Sequence, residues 1–153
     1  MNFLIKSYHI LIPIILAILM NGIIYTFGLN MDDKIKNEYL PPGYIIGIFW
    51  IILLGLLGYI HYYLYHLDNR INFGSLSIVF LIIFCISYPL ISSLNIKNGY
   101  FLNLVSLILT FIVSLIVLQY SKYAFLFMIP LIVRNCYINL IIYYNLIFNK
   151  LKI

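Results

Sequence analysis

Arg134 stands inside the last apolar run of the chain, in the string Arg134-Asn135-Cys136-Tyr137-Ile138-Asn139. An arginine at bilayer depth costs about 2.5–3.5 kcal/mol on insertion scales, so it faces a bundle interior or a watery cavity rather than lipid. No acidic residue lies inside an apolar run to pair with it. Three partners stay open: a backbone carbonyl freed by Pro130 four residues earlier, an anionic ligand or lipid headgroup, or interfacial water reached by snorkelling. A second polar grouping, Tyr59-Ile60-His61-Tyr62-Tyr63-Leu64-Tyr65-His66, carries two imidazoles. Five residues apart, they do not share a helix face, so a metal pair is not expected there. Cys85 and Cys136 fall in separate apolar runs without C-x-x-C or Cys/His spacing and read as small packing residues. The chain has no Ser/His/Asp arrangement, paired intramembrane carboxylates or phosphate-cradling glycine loop, so an enzyme is not expected.

The elements that must position these groups follow from composition. Of 153 residues, 65% are hydrophobic and 8% charged, with mean hydropathy +1.08, whereas soluble domains carry about 25% charged residues. In hydrocarbon every backbone polar group must be satisfied internally, and the apolar runs have helix length rather than the ten-residue alternation of barrel strands. The expected fold is an all-α integral membrane protein, a single bundle of five transmembrane helices over about 8–29, 41–66, 75–94, 100–120 and 123–148. A net charge of +5, spread over loops, suits a lipid surface and gives no basic stripe for nucleic acid. Lys34, Lys36, Lys97, Lys150 and Lys152 collect on one face, against Lys6, Arg70 and Lys122 on the other. The positive-inside tendency then puts the C-terminus and the 30–42 loop in the cytosol. That loop is longer than adjacent helices need, so it reads either as a solvated connection or as a lid.

The second run opens Pro41-Pro42-Gly43-Tyr44-Ile45-Ile46-Gly47-Ile48-Phe49-Trp50. Two prolines suit a helix start, where the first N–H groups have no intrahelical partner. Gly43 and Gly47 lay a flat strip on the helix where a backbone or a rigid ligand can approach, and Trp50 follows one turn on. This stretch resembles the signature of the translocator protein family, the tryptophan-rich sensory proteins, written P-P-G-W-x-x-G-P-V-W. Tyr44 stands for the first tryptophan and Ile48 for the inner proline. Leu57-Gly58 lines up with the family's M-G, Ser87-Tyr88-Pro89-Leu90 with W-S-P-L, and Pro130 with the proline of L-L-P-Y-L-A-W. Phe84, Ser87 and Arg134 fall where the family has asparagine, tryptophan and tryptophan, and Asn103 where it has aspartate.

The resemblance implies a membrane protein that binds or transports a planar hydrophobic ligand, a porphyrin or haem-type tetrapyrrole or a sterol, as transporter, receptor or stress sensor. No cofactor is required, and the family often forms homodimers. Tyr44, Gly47, Trp50 and Asn103 would line the ligand cavity; Arg134 as a counter-charge, with Tyr137 beside it, is an inference from this chain alone. Leu140, Tyr144 and Lys150 fit the loose L/V-x-Y-x-K/R cholesterol pattern. Family membranes are the outer mitochondrial membrane in eukaryotes and the cell envelope in bacteria. Two other readings stand beside this one: a structural or regulatory subunit that has lost ligand binding, and porphyrin degradation.

Overall fold

The computed structural model describes residues 3–27, 43–68, 70–94 and 96–150. Its elements are α1 (Phe3–Thr26), α2 (Gly43–Asp68), α3 (Phe73–Leu94), α4 (Ile96–Tyr120), α5 (Lys122–Leu126) and α6 (Ile129–Lys150). The expected lid, 30–42, lies outside the described residues, as do the side chains of Tyr44 and Lys150. Five segments are long and apolar enough to cross a bilayer: Ser7–Thr26, Ile45–Leu67, Phe73–Ile91, Gly99–Tyr120 and Lys122–Tyr144. The chain is an all-α, multi-pass membrane protein.

Its surface is inverted relative to a soluble bundle. Leu19, Phe80, Leu115 and Leu140 are each more than half exposed, whereas Ser75, Asn103, Ser106, Thr110, Ser114 and Asn135 are buried. Lipid is as apolar as leucine, so side-chain fit, small residues and hydrogen bonds hold such helices together, and burial of apolar area from water does not. α2 is central: Leu54, Leu57, Ile60 and Leu64 are almost fully enclosed, packed with Ile78 and Leu81 of α3 and Val117 of α4. α1 lies against α2 and α3, α4 against α3, and α6 against α4.

The α1–α2 seam depends on Gly58. A Cβ at that position would meet the His9 carbonyl oxygen and stand 2.9 Å from the Ile10 Cα, so two backbones touch where the side chain is missing. The turn into α3 is fixed by Asn72 at its N-terminus. Asn72 Oδ1 accepts from the Ser75 N–H at 2.7 Å, Ser75 Oγ accepts from the Asn72 N–H at 3.1 Å, and Asn72 Nδ2 donates to the Leu64 carbonyl at 2.9 Å. This reciprocal cap ties the start of α3 to the last turns of α2.

The fifth span, expected as one helix over 123–148, is broken. Ser121 Oγ caps α5 by accepting from the Ala124 N–H. Pro130 has no N–H, and its ring excludes a helical carbonyl four residues back, at Leu126. α5 therefore ends at Leu126, and the chain tightens through Phe127 N–H to Ala124 O and Met128 N–H to Phe125 O before α6 begins. As the second residue of α6, Pro130 leaves no intrahelical donor missing. Pro13 and Pro89, by contrast, sit within continuous α1 and α3.

Candidate ligand site around Trp50 and Arg134

The break in the fifth span leaves Arg134 one turn inside α6. From there its guanidinium lies over the Trp50 ring of α2, 4.2 Å from the centroid. Its Nη1 donates to Asn135 Oδ1 at 2.8 Å. The structure supplies two partners that were not among those the sequence left open, an aromatic face and a neighbouring amide. Trp50 is itself only 8% exposed, with Tyr88 tilted against it at 6.1 Å between ring centres. A desolvated cation–π pair of this kind contributes about 2 kcal/mol.

Beside Trp50 is a recess lined by Ala17 and Asn21 of α1, Leu54 of α2, and Cys85 and Pro89 of α3. Its enclosed space is only about 10 Å³, room for about one water. Sites for drug-sized ligands span about 300–1,000 Å³. A flat ligand therefore enters only if α1 or α3 moves, and Trp50 is the wall it would stack on.

Asn135 joins this corner to α4. Its Nδ2 donates to Thr110 Oγ1 at 2.8 Å and Ser106 Oγ at 3.2 Å, while its Oδ1 holds Arg134. Asn139 extends the link one turn on, donating to the Asn103 carbonyl at 3.1 Å. Asn103 lies in this α4–α6 seam, its own Nδ2 turned back to the Gly99 carbonyl. Trp50 and Arg134 are thus brought together, and Asn103 is placed in a structural seam. A Cβ at Gly47 would meet nothing within 4 Å, so that glycine faces open space. Tyr137, Leu140 and Tyr144 form an exposed strip along α6 and do not line the recess. Both cysteines are free, Cys85 buried and Cys136 half-buried.

Two features escaped the sequence. Ser106 and Thr110 look like ordinary helix residues until α6 brings Asn135 against them. His9 and His61, 52 residues apart, meet across the α1–α2 seam with their Nδ1 atoms 2.8 Å apart. The only sequence signal was Gly58, one turn before His61, marking where a second backbone would come close. Among the described residues no group of three or more His, Cys, Asp or Glu gathers as metal ligands. Comparison with protein-family models, with curated proteins and with solved structures finds no match to this chain.

Proposed function

We propose that this chain is a translocator-type membrane protein that binds a planar hydrophobic acid at the Trp50 recess, a tetrapyrrole being the first candidate. One observation carries the reading: a guanidinium stacked on the tryptophan that walls the recess, in a bundle whose five spans contain no acidic residue to neutralise it. Arginine at this depth is costly unless its charge is used. A ligand carboxylate would complete the guanidinium's bidentate fork while its ring system stacked on Trp50. In this reading the membrane is the outer mitochondrial one in a eukaryote or the envelope in a bacterium, with the C-terminus and the 30–42 loop cytosolic. The exposed Tyr137–Leu140–Tyr144 strip then faces lipid, where a sterol or a second copy of the chain is available to it.

The test is a titration of the purified protein with protoporphyrin, followed by Trp50 fluorescence. A Trp50→Phe control read by porphyrin absorbance checks for non-specific quenching. Saturable, stoichiometric binding is expected. Linear quenching without saturation would sink the reading.

The small recess favours a second reading, a structural or regulatory subunit in which Arg134 and Trp50 only join α6 to α2. A ligand that binds the folded state must raise its apparent stability. The two readings therefore part on whether porphyrin or sterol raises the melting temperature in detergent.

A further inference from the structure

Three histidines are present in the chain, and all three fall in one cluster of rings at the end of the α1–α2 seam remote from the Trp50 recess. His9 of α1 and His61 of α2 face each other through Nδ1 atoms at 2.8 Å, with ring centres 4.8 Å apart. Tyr62 and Tyr65 of α2 flank His9 at 5.7 and 5.8 Å, and both also contact His66. His66 Nε2 is buried with no hydrogen-bond partner among the described residues. These are the titratable groups of α1 and α2 that surround the pair. The nearest charged residues along the chain, Lys6 and Asp68, have side chains outside the described residues.

Two Nδ1 atoms 2.8 Å apart share one proton, and in the neutral pair the remaining places follow from it. One imidazole carries Nδ1–H and donates; the other presents its Nδ1 lone pair and keeps its own proton on Nε2. Each further proton then has a defined place. The first adds to the free Nε2 of the donor ring, making an imidazolium whose Nδ1–H···Nδ1 bond is charge-assisted and stronger. The second can add only to the accepting Nδ1. That breaks the bond and sets two N–H groups and two like charges face to face in low dielectric.

We propose that His9 and His61 form a proton-binding dyad that latches α1 to α2: one added proton tightens the latch and a second opens it. Gly58 sets the latch, because its missing side chain lets the His9 backbone lie on α2 one turn from His61. The site stands near one membrane face, His9 being two residues inside the start of its span at Ser7. Protons from bulk water therefore reach it without crossing the bundle. The inference is independent of any ligand at Trp50.

The test uses the full chain in lipid nanodiscs, with ¹⁵N-labelled histidine rings followed from pH 8 to pH 4. The expected result is two protonation steps for the pair, more than about one pH unit apart. The Nδ1–H···Nδ1 coupling survives the first step and disappears at the second. Spin labels at Tyr8→Cys and Leu67→Cys, with Cys85 and Cys136 replaced by Ala, move apart at that second step and not before. His61→Gln removes the second step; His66→Gln leaves both. Both rings titrating together near the ordinary histidine value of about 6.5, with no change in label distance, would overturn the latch. So would a stoichiometric Zn²⁺ complex on the two Nδ1 atoms at neutral pH, which would make the pair a metal site. If His61→Gln fails to fold, the measurement on the unaltered rings still decides.

Discussion

The Arg134 guanidinium and the Trp50 indole meet at 4.2 Å, so the arginine one turn into the last helix and the chain's single tryptophan act as one unit across the α2–α6 contact. A cation–π pair contributes about 2 kcal/mol when desolvated, and a hydrogen bond to a charged group about 1.5–3. The insertion cost of an arginine, about 2.5–3.5 kcal/mol, is of the same size. Arg134→Leu is therefore expected to leave the melting temperature of the unliganded protein nearly unchanged. Porphyrin binding should weaken at least ten-fold, and more than binding of an uncharged sterol. Equal losses for both ligands would remove the counter-charge role, and a large fall in stability would favour the structural reading.

Asn135 gives the complementary case, a polar residue whose work lies in the fold. It binds Thr110 and Ser106 across α4 while accepting from Arg134. Interhelical hydrogen bonds in bilayers average about 0.6 kcal/mol and reach about 1.7. Asn135→Leu should cost about 1–2 kcal/mol in a detergent unfolding titration. Thr110→Val added to it should cost little more, because the two changes delete the same bond. Additive losses would show that the hydroxyl and the amide work independently.

How much of this was legible depends on the range of the cause. The five spans were, because apolar run length and backbone satisfaction in lipid are properties of short windows. Pro130 was recognised as a source of backbone irregularity, but its outcome was not: whether a proline stays within a continuous helix, as at Pro89, or ends one, as at Leu126, depends on what packs beside it. Here Phe127 at the break meets Tyr59 of α2 edge-on at 5.2 Å. Trp50 and Arg134 were both expected at the ligand cavity, yet nothing local could stack one on the other across 84 positions. Asn103 shows the same limit. An amide near a helix start reads equally well as cavity lining or as a seam, and only the position of Asn139 decides.

Three glycines of α2 should respond differently to alanine. At Gly58 the new methyl meets the backbone of His9 and Ile10, which cannot yield, so α1 must move away. Overpacking of this kind costs about 1–3 kcal/mol, and the His9–His61 contact should be lost with it. At Gly55 the nearest atom is Ile14 Cδ1 at 3.3 Å, the end of a flexible side chain, and a small effect is expected. At Gly47 nothing lies within 4 Å, and alanine should be neutral or slightly stabilising through its higher helix propensity. Thermal denaturation of the three variants in one detergent checks the order. A Gly58→Ala variant as stable as Gly47→Ala would mean that the close α1–α2 approach does not support the fold.

Pro130→Ala tests whether the broken fifth span is what aims Arg134. The substitution restores an N–H and removes the ring that keeps the Leu126 carbonyl out of a helical bond. A continuous helix from Lys122 onward then becomes available, with a different phase between the Ala124 and Met128 contacts and the Arg134 side chain. Because Pro130 occupies the first turn of α6, where proline is tolerated, the change should move stability by less than about 1 kcal/mol. Its effect should appear instead in the emission of Trp50, which loses the guanidinium over its face, and in weaker porphyrin binding. Unchanged Trp50 emission would mean that packing of Phe127 against Tyr59 keeps the helix broken without the proline. The sharper variant is then Phe127→Ala on the Pro130→Ala background. If that double change also leaves Trp50 untouched, the orientation of Arg134 is set by Asn135 and its α4 partners rather than by the break.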